Sequence, residues 1–208
     1  MTTLPRPTNL QRWTALVLVS LTMFGNYYIY DSIAPVVDLM RSQLGFSLQQ
    51  IGTFSTAYSI AAVLMLLVGG YIIDRFGTRT AIVVFAAVCL VAAALTAMSA
   101  SYETILAGRF LLGLGAEPLI VAVTTVLARW FKCSDLSFAF GINLSISRLG
   151  SASTDWSTGF AAPLYANWQD PLWLATGVAA VALTAAMLYW VMERRAEGRI
   201  DLGNAGEI

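Results

Sequence analysis

The sequence contains no histidine. That absence excludes a histidine proton relay, a Ser-His or Cys-His catalytic pair and any histidine-bound metal within this chain. Cysteine is nearly absent too. Of two in 208 residues, Cys89 falls inside an apolar run and Cys133 in a short basic loop. Neither suggests a disulfide framework, and both read as small apolar filler or unpaired thiols. Charge is scarce, at 12% of residues, with 12 Lys+Arg against 12 Asp+Glu. No basic patch lies outside the expected membrane flanks, so nothing suggests nucleic-acid binding. There is no low-complexity tract and no stretch that reads as a soluble domain.

What the chain has is apolar length. It is 58% hydrophobic, with a mean hydropathy of +0.70. Six segments, about 13–37, 48–73, 80–99, 104–128, 136–163 and 171–192, reach the roughly 20 residues that a spanning helix needs. The expected fold is an all-α membrane protein with six transmembrane helices. Residues 1–12 form an N-terminal tail, 13–192 the bundle and 193–208 a C-terminal tail. The first segment follows Arg6 and Arg12 as a signal peptide would, but it runs too long and lacks a small-residue cleavage site, so it reads as a retained helix. The short connections predict that helices adjacent in sequence pack as antiparallel neighbours.

Orientation follows from the bias of Lys and Arg toward the cytoplasm. Arg6, Arg12, Arg75, Arg79, Arg129, Lys132, Arg194, Arg195 and Arg199 fall on one side, and Arg41 alone falls in the loops of the other. Both termini are therefore expected to be cytoplasmic. Trp13, Trp130, Trp168, Trp173 and Trp190 lie near span ends, as interfacial anchors do.

Two charges interrupt the apolar spans. Glu117 is twelve residues from Arg129, and Arg148 is eleven from Ser137. At about 1.5 Å per residue each lies about 17–18 Å deep, near the midplane. A charge there costs at least about 2.5–3.5 kcal/mol on insertion scales, so such groups face a cavity, pair with each other or hold a ligand. A shared central cavity spares both from lipid. One role for the pair is zwitterion binding; the other is a permanent salt bridge fixing two helices.

The loop after the second segment reads Gly70-Tyr71-Ile72-Ile73-Asp74-Arg75-Phe76-Gly77-Thr78-Arg79. Gly70 is expected to allow close helix approach and Gly77 a tight turn. Asp74 is suited to accept from helix N-terminal amides or from an arginine, locking a gate. Arg75 and Arg79 hold the loop on the cytoplasmic side. This stretch matches the G-x-x-x-D-R-x-G-x-[RK] signature of the major facilitator superfamily. Arg109-Phe110-Leu111-Leu112-Gly113-Leu114-Gly115-Ala116 resembles the superfamily's second signature, R-x-x-x-G-x-G-A. Its glycines suit close packing. Arg109 is expected to pair with Asp31, to line the access route or to snorkel to the interface.

A narrower resemblance runs from Gly108 to Ser151. It covers Gly108-Arg109-Phe110 through Glu117-Pro118-Leu119, then Ala128-Arg129-Trp130-Phe131-Lys132, then Phe140-Gly141-Ile142-Asn143 through Arg148-Leu149-Gly150-Ser151. With Asn26-Tyr27-Tyr28-Ile29-Tyr30-Asp31, it is similar to the lysosomal dipeptide-transporter branch. The resemblance implies that Glu117 and Arg148 contact a bound dipeptide. Chemically, Glu117 suits the ammonium and Arg148 the carboxylate. Tyr27 and Tyr30 share a helical face near Asp31, either lining the pocket or forming an aromatic belt, and Asp31 reads equally as a substrate contact, a proton carrier or a rim residue. Asp155 and Trp156 read equally as pocket or rim. Pro118 is positioned to kink its helix.

The resemblance covers one half of a family member. It implies alternating access between two six-helix halves, so this chain is expected to be a truncated or split product, or to pair with a second copy or another half. Alone, it is expected not to transport. A non-transporting accessory or regulatory membrane protein and a carrier of another small organic anion are the competing readings. No cofactor is expected. Asp31, Glu117 and Asp155 can each titrate, so uniport and proton symport both stand open. The branch implies a lysosomal membrane in a eukaryote, with a glycosylated accessory subunit; a bacterial source implies the cytoplasmic membrane. The sequon Asn143-Leu144-Ser145 falls within a span and should be unmodified.

Overall fold

The computed structural model describes residues 5, 7–131, 135–198 and 200. Arg6, Lys132, Cys133 and Arg199 lie outside the described residues. The described elements are helices α1 (Asn9–Asp31), α2 (Val37–Leu44), α3 (Leu48–Phe76), α4 (Thr78–Met98), α5 (Tyr102–Trp130), α6 (Leu136–Phe160) and α7 (Gln169–Ala196). Short 3-10 turns occupy Ala34–Val36 and Ala162–Ala166. All six long helices match predicted spans. The excess is α2, a short helix in the loop after α1.

Local signals set the helix starts. Thr8 and Gln11 form a reciprocal cap on α1, with the Gln11 amide donating to Thr8 Oγ1 at 3.4 Å and the Thr8 amide to Gln11 Oε1 at 2.9 Å. Ser47 and Gln50 repeat the arrangement on α3. Each such cap contributes about 0.5–2 kcal/mol. Gly77 separates α3 from α4 in one residue, at φ 82°, which a Cβ would strain. The turn expected there is present. The α5 helix continues through Pro118 from Tyr102 to Trp130.

The packing order differs from the sequence order. The α5 helix packs on both α4 and α3, while α1 packs on α6 and α7, and α4 on α7. The consecutive pair α4/α5 packs closely, as its short loop predicts, whereas α3/α4 and α5/α6 barely touch, contrary to that expectation. The reason is the distribution of small residues. Lipid tails are as apolar as leucine, so helices associate where backbones can approach. A Cβ at Gly115 would lie 2.9 Å from Cys89 Sγ on α4, and one at Gly113 would overlap the Tyr58 carbonyl on α3. A Cβ at Gly150 would overlap the Phe24 carbonyl, locking α6 to α1. Gly70 does not serve this purpose: nothing lies within 4 Å of its would-be Cβ. Its neighbour Gly69 does, with Pro118 Cβ 2.8 Å away. The core follows the same contacts, and Leu16, Ile82, Leu119, Leu127 and Tyr189 are each at most 1% exposed.

By length and composition alone, α4, α5 and α7 are apolar enough to cross a membrane, and α3 qualifies as a span bent by 53°. Helices α1 and α6 are more polar than the six-segment reading assumed. Several of their polar groups are buried and turned toward neighbouring helices. Ser20 Oγ donates to Asn143 Oδ1 at 3.1 Å, Thr22 Oγ1 to the Ala182 carbonyl at 3.3 Å, and Thr154 Oγ1 to the Tyr28 carbonyl at 3.3 Å. Such interhelical bonds contribute about 0.6–2 kcal/mol each. Asn143, the sequon asparagine, is buried.

The two ends of the bundle differ in chemistry. At one end Arg129 donates to Glu193 Oε1 at 2.9 Å and to Thr78 Oγ1 at 2.7 Å. Arg12 donates to the Trp130 carbonyl at 3.1 Å and pairs with Asp135 at 3.6 Å, and Arg79 pairs with Glu197. The other end is closed by an apolar cluster that includes Val36, Met40, Phe54, Ile105 and Leu172. Gln43 tethers it, donating to the Ala166 carbonyl and accepting from the Trp168 amide, both at 3.0 Å.

Candidate functional site

Glu117 stands on α5 between two glycine-mediated contacts. Gly113 and Gly115 draw α3 and α4 against α5, and the half-buried Glu117 side chain is directed to α3, where the Tyr58 hydroxyl donates to its Oε1 at 2.9 Å. A cavity of about 200 Å³ opens here, lined by Asn26, Tyr27, Tyr30, Tyr58, Glu117 and Ile120. Tyr27 and Tyr30 do share this face of α1, as their spacing predicted. The Tyr30 and Tyr58 rings meet edge to face at 4.7 Å.

Arg148 does not line this cavity, so the single hollow expected to hold both charges is not formed; from α6 it approaches Tyr27, which does line it. Its guanidinium lies 5.1 Å from the Tyr27 ring centroid, a cation–π distance. Among the described residues no ion pair joins Arg148 to Glu117. The direct neutralisation of one by the other that the sequence suggested is absent, because α1 stands between α5 and α6. Tyr27 is the neighbour that both share. Arg148 is exposed on the bundle surface and Glu117 is half-buried.

Arg109 neither snorkels nor pairs with Asp31. It is 4% exposed, and it donates to the carbonyls of Tyr30 at 2.8 Å and Ile29 at 3.3 Å. These are among the last carbonyls of α1, at the negative end of its dipole; the Ile29 carbonyl also accepts from the Ser32 amide at 3.3 Å and the Ser32 hydroxyl at 2.7 Å. Among the described residues the Arg109 Nε has no partner. The guanidinium also lies 5.7 Å from the Tyr30 ring and 5.9 Å from the Tyr58 ring. Arg109 thus braces two of the tyrosines that wall the cavity. Asp31 is half-buried and does not line it, and Asp155 and Trp156 are exposed on α6. Tyr58 escaped sequence reading. It sits in the charge-free stretch Ser42–Ile73, and only the packing of α3 on α5 brings it to Glu117.

A family model described as the Major Facilitator Superfamily matches residues 19–206. The chain belongs to the major facilitator superfamily. It is 29% identical over 216 residues to the lysosomal dipeptide transporter MFSD1 of Danio rerio, covering 96% of this chain and 46% of that protein. It is 29% identical over 143 residues to the probable sulfoacetate transporter SauU of Cupriavidus necator, covering 69% of this chain and 33% of that protein. The fold is similar to the crystal structure of the nucleoside transporter NupG, with a TM-score of 0.73 at 14% identity, covering 83% of this chain and 44% of that one. The chain therefore spans less than half the length of these relatives. Superfamily membership and the relatives' names point to transport rather than enzymatic chemistry. They also fit a chain embedded in a membrane.

The superfamily's loop signature is only partly engaged. Arg79 pairs with Glu197 and Arg75 donates to the Tyr71 hydroxyl at 2.9 Å. Asp74 is exposed and, among the described residues, accepts neither from helix N-terminal amides nor from an arginine. The lock expected from this residue is not formed within the six helices.

Proposed function

We propose that the chain forms one six-helix half of an alternating-access carrier for dipeptides or similar small zwitterionic solutes. The observation that carries this reading is a carboxylate in a tyrosine-walled hollow with a guanidinium on the far side of one shared ring. Glu117 takes the substrate ammonium, and Tyr58, Tyr27 and Tyr30 supply hydroxyl and ring contacts. Arg148, unpaired by Glu117, clamps the carboxylate through two parallel hydrogen bonds. The hollow of about 200 Å³ is smaller than the roughly 300–1,000 Å³ of a complete ligand pocket. That shortfall fits a site completed by a second six-helix half, either another copy or a different chain. Arg75, Arg79 and Asp74 face the end where such a half would gate access, and the exposed Asp74 is free to engage it. Both termini are assigned to the cytoplasm, in a lysosomal membrane if the source is a eukaryote and in the cytoplasmic membrane if it is a bacterium.

A second reading, a carrier of small organic anions, draws on the exposed Arg148, which has no acid partner among the described residues, and on the name of the SauU relative. Isothermal titration of the purified chain, with and without a co-expressed second half, separates the two. Dipeptide binding should be lost in both Glu117→Gln and Arg148→Ala. Dependence on Arg148 alone favours the anion reading, and dipeptide binding that survives Arg148→Ala overturns the proposal.

A further inference from the structure

A groove of about 560 Å³ runs between α1 and α7 at the arginine-rich end of the bundle. Its wall is apolar, made by Leu18 from α1 and by Leu188 and Val191 from α7, while Gln11, Thr14 and Arg195 stand at its mouth. Leu188, Val191 and Arg195 follow one face of α7 by their three- and four-residue spacing. The acids of this helix end point elsewhere. Glu193 is held by Arg129 and Glu197 by Arg79. Arg195 is exposed and, among the described residues, has no acid partner. Arg194 lies over the Trp190 ring at 5.1 Å. Gln11 spends its carbonyl oxygen on the Thr8 cap, which leaves its amide NH₂ as a donor beside the groove.

We propose that this groove binds an anionic phospholipid. One acyl chain lies along Leu18, Leu188 and Val191, and the phosphate takes hydrogen bonds from Arg195 and the Gln11 amide. Charge complementarity selects the occupant. A neutral lipid would leave Arg195 and the Gln11 donor without an anion, whereas a cation at the head of an apolar trough at a membrane surface matches a phosphodiester above a chain. The site lies apart from the Glu117 cavity and shares no lining residue with it. It would couple the α1–α7 contact to the charge of the surrounding leaflet, whatever the carrier transports.

The test is native mass spectrometry of the full chain released from phosphatidylcholine nanodiscs doped with phosphatidylglycerol. The wild-type chain should retain one phosphatidylglycerol in preference to phosphatidylcholine. Arg195→Gln should lower that retention about fivefold, the fold-change expected for one arginine near a charged surface. Arg194→Gln, which removes the same charge from another face, should change it less than twofold. Leu188→Trp, which fills the groove and leaves the charges intact, should also displace the lipid. Arg194, Arg195 and Leu188 are exposed, so all three variants should fold. Unchanged retention in Arg195→Gln overturns the proposal, as does equal loss in Arg194→Gln. Displacement of the lipid by millimolar inorganic phosphate would mean a simple anion site and would also overturn it.

Discussion

Adding one methyl group at Gly113 should cost more stability than almost any other single-carbon change in this chain. Its would-be Cβ overlaps the Tyr58 carbonyl oxygen and lies 2.8 Å from Ala61 Cβ and 3.2 Å from the Ala62 amide. The first and last of these are backbone atoms of α3, which cannot rotate aside as a side chain can. The helices must separate, and overpacking of this kind costs about 1–3 kcal/mol. The gain from Ala over Gly in a helix, about 1 kcal/mol, offsets part of it. For a chain of this size, 1 kcal/mol moves a melting temperature by about 2–4 °C. Gly113→Ala should therefore be destabilised by up to about 2 kcal/mol net and melt up to about 8 °C below wild type in detergent micelles, with the Tyr58–Glu117 bond loosened as α3 moves. Gly70→Ala is the internal control. It belongs to the loop signature but sits within the last turns of α3, where no described residue lies within 4 Å of its would-be Cβ, so it should be neutral or stabilising by up to about 1 kcal/mol. Equal melting temperatures for the two variants, or a lower one for Gly70→Ala, would refute the packing argument.

The Arg129–Glu193 pair is enclosed, with side chains only 20% and 6% exposed. Removing one partner strands the other, so Arg129→Met should destabilise by about 3–5 kcal/mol in chemical unfolding, and adding Glu193→Gln should recover part of the loss. The contrasting pair Arg41–Asp38 is open to solvent at 48% and 93%, and Asp38→Asn should shift stability by less than about 1 kcal/mol. Arg109→Gln removes two charge-assisted bonds to α1 carbonyls, each worth about 1.5–3 kcal/mol, and should speed amide hydrogen exchange at the end of α1. Tyr58→Phe should leave the fold intact but free Glu117 of its donor. Under the proposed function, dipeptide affinity measured by calorimetry should change, while Tyr71→Phe, at an exposed position near the end of α3, should leave it unaltered.

Much of this architecture is written in residue types. Helices α4, α5 and α7, and α3 as a bent span, follow from apolar length, the capping pairs Thr8/Gln11 and Ser47/Gln50 from spacing, and the turn at Gly77 from a glycine between two spans. Membership of the superfamily follows from two short signatures. These features are local, so a reader of the chain can evaluate them without knowing which helix meets which. Glu117 and Arg148 stood out for the same reason: a charge inside an apolar run is anomalous wherever that run goes.

What folding alone decided is which groups face each other. Short loops suggested that sequential helices pair, and α4 and α5 do so through Gly115, but backbone approach at Gly113 and Gly150 placed α3 on α5 and α6 on α1. That order put α1 between Glu117 and Arg148, gave Glu117 the Tyr58 hydroxyl in place of a guanidinium, and sent Arg109 to the carbonyl end of α1 in place of Asp31. Partner choice in a bilayer depends on surface fit between helices distant in sequence. No window along the chain contains that information, whereas length, capping and isolated charge are complete within a single helix.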